Sequence, residues 1–395
     1  MTAERHETGA GQGLKILIHH RIASSDGQAV HIRELLIALR QIGCSVVIVG
    51  PAGMDRIAEG QRLPGISTLQ RLMPRPVYEI MELGYSVRAF FRLLAAWRKH
   101  RPDALYERHN LFLLAGVWLK RGLGIPYIVE FNSPLALERE RTGSLRLRAV
   151  GRWSEGAVLR SADRVLPVTQ VLANWVKAQS VPEEKILVVP NAVDPDRFTD
   201  MRGLDEAKRA IGCPDSTVIG FVGYPRDWHR LDRAVDFIAA KRLELDLRLV
   251  VVGEGPGLEE VKARARALGV EDRLILPGAL DREAVVRYLA AFDVALQPGV
   301  NDYASPLKLY EYMAAGRAIL APSSVNILEV LEDGRNAVLF DPEVPEDFQR
   351  GMERICADPA LRQRLGATAK ADVEAKNLTW HRNATMVCRV VRELT

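Results

Sequence analysis

The chain has 395 residues, 26% of them charged, and a formal net charge of +4, which is the profile of a globular protein with two domains. So small a net charge does not argue for nucleic acid as a partner, and no apolar run reaches the roughly 18 residues of a membrane-spanning helix. The polar N-terminus has no signal-peptide core, and the four cysteines show no metal-ligand spacing, so we expect a cytoplasmic protein with free thiols.

Strands and helices alternate along the chain in two series. In the first series the predicted strands cover residues 15–19, 45–49, 103–106, 126–130, 164–168 and 186–189, with helices at 30–41 and 111–121. In the second series the strands cover 218–222, 247–252, 274–277, 294–297 and 318–321, with helices at 231–242, from 257, at 282–291 and from 306. This alternation predicts an α/β fold with two doubly wound, Rossmann-like parallel sheets.

A polar segment at 191–198 separates the two series. We therefore predict an N-terminal domain over 14–196 and a C-terminal domain over 197–376, facing each other across a cleft. The final helix, 377–395, is expected to cross back to the first domain, with Trp380 as an anchor. Ligands of such folds bind beyond the carboxyl ends of the strands, which makes the cleft the expected site.

The helix that starts near residue 306 has the strongest sequence signals. Ser305 is a predicted N-cap, Pro306 suits the first helical position and Gly316 is a predicted C′ stop. The N–H groups of the first turn offer an anion site, to which Lys308 adds a cation. Glu311 follows on the same face, where a carboxylate can hold hydroxyls. The pattern fits a nucleotide; the alternative is a capped surface helix with an ordinary lysine and glutamate.

Two strand-end loops of the first series offer further candidates. Gly27 follows the first strand and lets a ligand approach the backbone, unless it marks a plain strand-to-helix turn. Asn132 follows the strand at 126–130 and has an amide suited to sugar hydroxyls, or else starts a turn before proline. Glu130 lies inside that apolar strand, where a carboxylate must be paired or must reach the cleft.

Two loops of the second series carry charge or glycine. Gly223 is followed by Arg226 and His229, cations that suit a diphosphate leaving group; the alternative is a solvated loop with exposed ion pairs. Gly253 begins a glycine-rich turn that lacks the full dinucleotide-binding spacing and the expected ribose carboxylate. One more turn can present main-chain groups to a base edge; its residues are Gly278, Ala279 and Leu280.

Taken in order, these loops resemble the retaining, nucleotide-sugar-dependent glycosyltransferases of family 4, which have the GT-B fold. The matching segments are Gly27, Glu-Phe-Asn-Ser-Pro-Leu at 130–135, Val-Val-Pro-Asn-Ala-Val-Asp at 188–194 with Phe198, 221–223, 252–256, and Ser-Pro-Leu-Lys-Leu-Tyr-Glu-Tyr-Met-Ala-Ala-Gly at 305–316. They span nearly the whole chain, and the last segment is the most specific.

The resemblance implies a role for each matching position. Glu311 would hold the ribose hydroxyls, main chain at 278–280 would read the base, and Gly27 would leave room for donor phosphates and acceptor. Segment 191–194 would belong to the interdomain connection. The backbone that would grip the diphosphate is that of Ser305, Pro306, Leu307 and Lys308.

Three positions depart from the family pattern. The first glutamate of the family's pair should lie eight residues before Glu311, where this chain has Tyr303, with Asp302 as a neighbouring substitute. The usual arginine and lysine of the diphosphate loop are Tyr224 and His229, which leaves more of the phosphate charge to Arg226 and Lys308. Asn132 stands where many members have a histidine near the reacting sugar.

The reaction implied is transfer of a sugar from a nucleoside diphosphate, UDP or GDP, to an acceptor hydroxyl with retention. We expect front-face displacement without a metal or other cofactor, because Asp194-Pro-Asp196, with metal-pair spacing, falls in the interdomain connection. The acceptor, a glycan, a lipid-linked sugar or a small molecule, would lie on the N-terminal domain, where 106–109 is a candidate lining. The predicted catalytic residues are Asn132, Arg226, His229 and Lys308.

Segments 71–101 and 138–152 mix large apolar residues with arginines. A basic amphipathic helix of this kind can lie on the inner face of an anionic membrane. The favoured alternative is an ordinary domain helix with its apolar side inward and its arginines outward.

Two other functions fit parts of the pattern. A catalytically impaired relative that binds a sugar nucleotide without transfer is suggested by Tyr303 and Asn132. A nicotinamide-dependent dehydrogenase shares the doubly wound domains, but the incomplete glycine loop argues against it.

Overall fold

The computed structural model describes residues 9–22, 27–51 and 73–395. The chain forms two compact units: the first reaches to Pro190 and also includes Trp380–Thr395, and the second is Asn191–Thr379. Each unit is built on a sheet in which every pair of neighbouring strands is parallel, with helices between the strands. The predicted fold class, two doubly wound α/β domains, is confirmed.

The sheet of the first unit has the strand order β2-β1-β3-β4-β5. Its strands are β1 (Lys15–His19), β2 (Ser45–Val49), β3 (Ala104–Arg108), β4 (Tyr127–Phe131) and β5 (Arg164–Pro167). Its helices before Pro190 are α1 (Gly27–Gln41), α2 (Arg75–His100), α3 (Ala115–Leu123), α4 (Leu135–Arg141), α5 (Arg148–Ser161) and α6 (Gln170–Ala178). Every residue of β3 and β4 is buried, as expected for central strands covered on both faces.

The sheet of the second unit has the strand order β11-β10-β9-β6-β7-β8. Its strands are β6 (Thr217–Val222), β7 (Leu247–Val252), β8 (Leu274–Gly278), β9 (Val294–Leu296), β10 (Ala318–Pro322) and β11 (Val338–Phe340). Its helices are α7 (Leu204–Ala210), α8 (Asp232–Lys241), α9 (Gly257–Leu268), α10 (Arg282–Ala290), α11 (Leu307–Ala314), α12 (Asp347–Ala357) and α13 (Pro359–Ala375). Separate apolar clusters cover the two faces of this sheet, centred on Phe221 with Leu249 and on Phe292 with Val250.

The last helix, α14 (Trp380–Leu394), packs on α1 within the first unit. Trp380 is buried and meets the ring of His31 edge-on, with 5.0 Å between the ring centroids. In the described part of the chain, no helix is long and apolar enough to cross a membrane.

Two predicted elements differ from the structure. Segment 186–189 is not a strand: it makes one bridge, at Ile186, and two backbone hydrogen bonds to the edge of β5. Helix α3 begins at Ala115 and not at 111, because Phe112 has φ of 64° and so lies in the left-handed region, which interrupts a right-handed helix.

Helix α2 follows the orientation that we favoured only in part. The residues it buries are Glu79, Glu82, Ser86, Ala89 and Leu93, and the large apolar side chains it exposes are Val77, Ile80, Met81, Val87 and Phe91. Ala89 and Leu93 are buried, and Arg88 and Arg98 are exposed, as expected. What differs from the expectation is a second set of large apolar side chains that faces outward. Residues 71 and 72 of the predicted segment lie outside the described residues.

Candidate functional site

The second sheet reverses its strand order between β6 and β9, which lie side by side. A doubly wound sheet opens a crevice at such a point, just beyond the carboxyl ends of the two strands. The loop 223–230 follows β6, and the segment 297–306 that leads into α11 follows β9. Most of the site residues predicted in this half of the chain lie on these two segments or in the first turn of α11.

Helix α11 begins differently from the prediction but ends as predicted. Pro306 holds the N-cap position, and the Ser305 hydroxyl does not cap the helix; it lies 3.1 Å from the Tyr310 hydroxyl and accepts from the backbone N–H of Asn191 at 3.3 Å. The predicted N-cap is therefore wrong, because those contacts occupy the hydroxyl. The predicted C′ stop is confirmed: Gly316 has φ of 64° and donates its N–H to the Met313 carbonyl at 2.9 Å.

Tyr312 fixes this helix to both strands of the crevice. Its hydroxyl accepts from the Val222 N–H of β6 at 3.0 Å and donates to the Leu296 carbonyl of β9 at 3.4 Å. Tyr312 was not among the predicted site residues, although its position four residues after Lys308 places it on the same side of the helix. A fully buried tyrosine with both hydrogen bonds made gives α11 a defined position over the strand ends.

Lys308 lies in the first turn of α11 and reaches back over the end of β6. Its ammonium nitrogen is 3.8 Å from the centroid of the Phe221 ring and 3.3 Å from Nε2 of His229. A Cβ at Gly223 would lie in ordinary contact with the lysine Cε, at 3.4 Å, so it is the φ of 126° and not a lack of space that favours glycine here. Burial lowers the pKa of Lys308 to about 7, although the charge of Glu311 acts in the opposite direction.

His229 is buried and its protonation is set by its neighbours. Its Nδ1 accepts the backbone N–H of Arg226 at 2.9 Å, so a neutral imidazole carries its hydrogen on Nε2, the atom that faces Lys308. Burial, and next the charge of Lys308, lower the pKa of His229 to about 2. The residue is therefore a neutral N–H donor at physiological pH and not the cation that we predicted.

The other predicted residues of this region are more exposed than His229. Arg226 is exposed, and its guanidinium lies over the ring of the exposed Tyr224, 5.0 Å from the centroid. Tyr303, at the position of the missing glutamate, is half-buried, and its hydroxyl accepts from the side-chain amide of Asn301 at 3.4 Å. Glu311 is half-buried on α11, one turn from Lys308. Leu307, like Pro306, is half-buried at the start of this helix.

Three glycines hold the strand-end loops against one another. Gly223 donates its N–H to Val252, and Gly253 donates its N–H to Gly278, each at 2.9 Å. Gly253 has φ of 135°, and a Cβ there would lie 1.9 Å from the Gly223 carbonyl oxygen. Gly278 ends β8 with φ of 80°, followed by Ala279, which is exposed, and Leu280, which is half-buried. Gly253 therefore serves a close backbone crossing, a role that the sequence pattern only partly predicts.

The Gly253→Ala variant is expected to unfold at lower denaturant concentration, with a loss of more than about 2 kcal/mol, because its methyl group would overlap a carbonyl oxygen. Gly278→Ala is the matched control: it has positive φ and only a contact at 3.5 Å with Glu254, so about 1–2 kcal/mol is expected. Urea unfolding of both variants measures the difference, and equal losses would contradict the close crossing.

The first unit holds a buried carboxylate with several partners. Glu130 of β4 accepts from the guanidinium of Arg108 and the hydroxyl of Tyr106, each at 2.5 Å, and lies 2.9 Å from Nε2 of His31. Burial by itself would raise the pKa of Glu130, but His31 and Arg108 outweigh it and hold that pKa far below its ordinary value. The side-chain amide of Asn132 also donates to Glu130, which orients the amide and turns its carbonyl oxygen away from this carboxylate.

Two further buried pairs flank β3 of the first sheet. His19 Nδ1 lies 2.6 Å from Glu107, and His109 Nε2 lies 3.0 Å from Glu155. His20, next to His19, accepts the N–H of Ile22 on Nδ1 at 3.2 Å, and burial lowers its pKa to about 4. The sequence analysis proposed 106–109 as a lining but missed the histidines of β1 and α1.

His19, Glu107 and Glu130 lie near the carboxyl ends of β1, β3 and β4. The strand order of the first sheet reverses between β1 and β3. Gly27 is the exposed first residue of α1, and residues 23–26 before it lie outside the described residues. Among the residues that the structure describes, no three histidine, cysteine, aspartate or glutamate side chains are arranged to hold a metal ion.

Two family models match the chain: "Glycosyltransferase Family 4" over residues 25–197 and "Glycosyl transferases group 1" over residues 205–372. Among curated proteins, the 2-deoxystreptamine glucosyltransferase of Streptomyces kanamyceticus is 29% identical, over 84% of this chain and 90% of that protein. A D-inositol 3-phosphate glycosyltransferase of Actinosynnema mirum is 28% identical, over 90% of this chain and 89% of that protein.

Solved structures share the fold at low sequence identity. The sucrose-phosphate synthase of Thermosynechococcus elongatus has a TM-score of 0.76 at 18% identity, covering 96% of this chain and 99% of that one. Anabaena HepE, solved in complex with UDP-glucose, has a TM-score of 0.73 at 16% identity, covering 96% of this chain and 100% of that one.

Proposed function

Because this chain belongs to family 4 of the glycosyltransferases, we propose that it moves a sugar from a nucleoside diphosphate to an acceptor hydroxyl with retention at the anomeric carbon. The observation that supports this most is the pair formed by Lys308 and His229 beside Gly223, at the switch point of the second sheet. Two nitrogen groups at the N-terminus of a helix suit a diphosphate whose negative charge grows as the sugar leaves.

The remaining roles follow the family pattern. Glu311 holds the ribose hydroxyls, main chain at 278–280 contacts the base, and Arg226 adds charge from the exposed loop. Asn132 contacts the transferred sugar through its carbonyl oxygen and its second amide hydrogen, since the other amide hydrogen is donated to Glu130. No protein nucleophile is assigned, so the leaving phosphate takes the acceptor proton in a front-face displacement, and the protein supplies orientation and charge.

The relatives suggest which substrates to try first. HepE was solved with UDP-glucose, and the Streptomyces kanamyceticus relative is named as a glucosyltransferase, so UDP-glucose is the first donor and GDP-mannose the comparison. The acceptor bears a hydroxyl and is a glycan, a lipid-linked sugar or a small molecule such as an aminocyclitol or an inositol phosphate. The four free, buried cysteines are consistent with action in the reducing cytoplasm.

The test combines transfer, metal removal and product configuration. We expect transfer from one of the two donors to continue in excess EDTA, and NMR of the product to show the same anomeric configuration as the donor. Loss of turnover in EDTA that Mg²⁺ restores would contradict the metal-free mechanism, and an inverted product would contradict retention.

A sugar-nucleotide binder without transfer activity is the second candidate, and Tyr303 in place of the first glutamate favours it. The two candidates differ in one measurement. A binder would be stabilised against heat by UDP or GDP and yet release no nucleotide from any sugar donor, whereas an active transferase would do both.

A further inference from the structure

Helix α2 exposes its large apolar side chains along one side. Those side chains and their exposed fractions are Val77 45%, Ile80 58%, Met81 48%, Val87 50% and Phe91 62%. Their spacing of three, four and seven residues places them in one stripe on the helix surface, here named the α2 stripe. At a rise of 1.5 Å per residue, Val77 and Phe91 are about 21 Å apart, so the stripe extends over about four turns of the helix.

Polar contacts on the opposite side fix the rotation of this helix. Glu79 accepts the backbone N–H groups of Arg146 and Leu147, both at 2.7 Å, just before α5 begins. Glu82 accepts two hydrogen bonds from the guanidinium of Arg139, at 2.6 and 3.1 Å. Turning the α2 stripe inward would break these contacts and leave charged groups without partners, which costs several kcal/mol. The stripe therefore faces outward in the folded unit.

The charge on the same side has a single sign. Arg88 lies two turns after Met81, and Arg98 lies two turns after Phe91, so both extend the stripe, and both are exposed. The only carboxylates of α2 are the two buried glutamates. A second copy of this chain docking stripe to stripe would bring no carboxylate of its own α2 to these arginines, because both glutamates of that helix are buried. An anionic surface complements both the charge and the apolar side chains.

We propose that the α2 stripe docks this protein on the surface of an anionic lipid bilayer. The helix lies parallel to the membrane, with Ile80 and Phe91 among the acyl chains at the headgroup boundary and Arg88 and Arg98 on lipid phosphates. Binding to a membrane goes beyond the proposed transfer reaction, and it does not depend on that reaction. It places the first unit of the protein against the membrane, where a lipid-linked acceptor would be presented.

Vesicle co-sedimentation of the full chain tests the proposal. We expect binding to vesicles of phosphatidylcholine with about one-third phosphatidylglycerol, at about 0.15 M NaCl, and much weaker binding to pure phosphatidylcholine. The double variant Ile80→Ser with Phe91→Ser should reduce the partition coefficient at least about tenfold. Arg88→Gln with Arg98→Gln should reduce it for the anionic vesicles alone, which separates the charge contribution from any effect on folding.

The matched control changes exposed apolar residues of the other unit. Val325 and Leu328 are 67% and 53% exposed, and replacing both with Ser should leave vesicle binding unchanged. Wild-type protein that stays in the supernatant with anionic vesicles would overturn the proposal. So would a stable dimer in light scattering that Phe91→Ser converts to a monomer, because the stripe would then be an interface between copies.

Discussion

The Lys308→Met variant is expected to lose about 100- to 1,000-fold in kcat/KM, because the side chain that replaces the ammonium cannot stabilise the departing diphosphate. The ammonium lies next to the Nε2–H of His229. In the variant, this neutral histidine is the one donor of the pair that remains beside the proposed diphosphate position. Steady-state kinetics with the active donor, and the Kd of the corresponding nucleoside diphosphate, measure the loss.

One control variant and one stability measurement make this result specific. Lys262→Met removes an exposed lysine of α9, which lies 2.9 Å from Glu259, and should leave the kinetics unchanged. Lys308→Met itself should be more stable than the wild type, with a higher Tm, because it removes a cation from a half-buried position where desolvation lowers the lysine pKa. Full activity in Lys308→Met would exclude the residue from the diphosphate site, whereas inactivity with a lowered Tm would indicate a folding defect.

The pKa of Lys308 also predicts a pH dependence. A folded-state pKa of about 7 lies below the ordinary value of 10.5, so folding opposes the charged form. The penalty on stability is complete below pH 7 and disappears as the pH rises to 10.5. The ammonium is charged below pH 7, so nucleoside diphosphate affinity should fall as the pH rises through about 7. Lys308→Arg stays charged and should bind with little change over the same range; a flat wild-type profile would contradict the assignment.

The Glu130→Ala variant is expected to destabilise the protein by about 3–5 kcal/mol, because it leaves two buried groups, Arg108 and His31, without their carboxylate. Urea unfolding followed by circular dichroism measures the change. The folded-state pKa of Glu130 lies below its unfolded value of 4.5, so its contribution is present above that pH and is lost as the pH falls. The difference between variant and wild type should therefore shrink in acid.

Glu140→Ala is the matched control, because it removes another arginine-paired carboxylate of the first unit. Glu140 also pairs with an arginine, Arg152, but that arginine is exposed, so the free energy of unfolding should barely change. Similar losses of unfolding free energy in Glu130→Ala and Glu140→Ala would contradict the prediction. They would show that a buried carboxylate costs no more to remove than the one paired with an exposed arginine. A Glu130→Ala protein that folds should also bind the donor sugar more weakly, since Asn132 loses the contact that orients its amide.

Local sequence patterns predicted much of the fold. Strands β1, β2 and β7 have the predicted bounds, because apolar runs between turn residues are typical of buried parallel strands. The stop of α11 at Gly316 followed from the preference of glycine for positive φ. Glu130 was expected to need a partner, since an ionised carboxylate inside an apolar strand is costly, and it has several.

The sequence by itself thus determined the alternation of strands and helices, the family, and the loops from which the site is built. Only the tertiary structure decided which side chains meet. Lys308 and His229 are 79 residues apart and become neighbours because β9 lies beside β6. His31 of α1 and Glu130 of β4 are likewise far apart in the sequence and become neighbours only when the first unit folds. The outward face of α2 was also beyond the sequence. Apolar periodicity marks a stripe on a helix, whereas the partners of its two glutamates, on α4 and in the loop before α5, decide which side is buried.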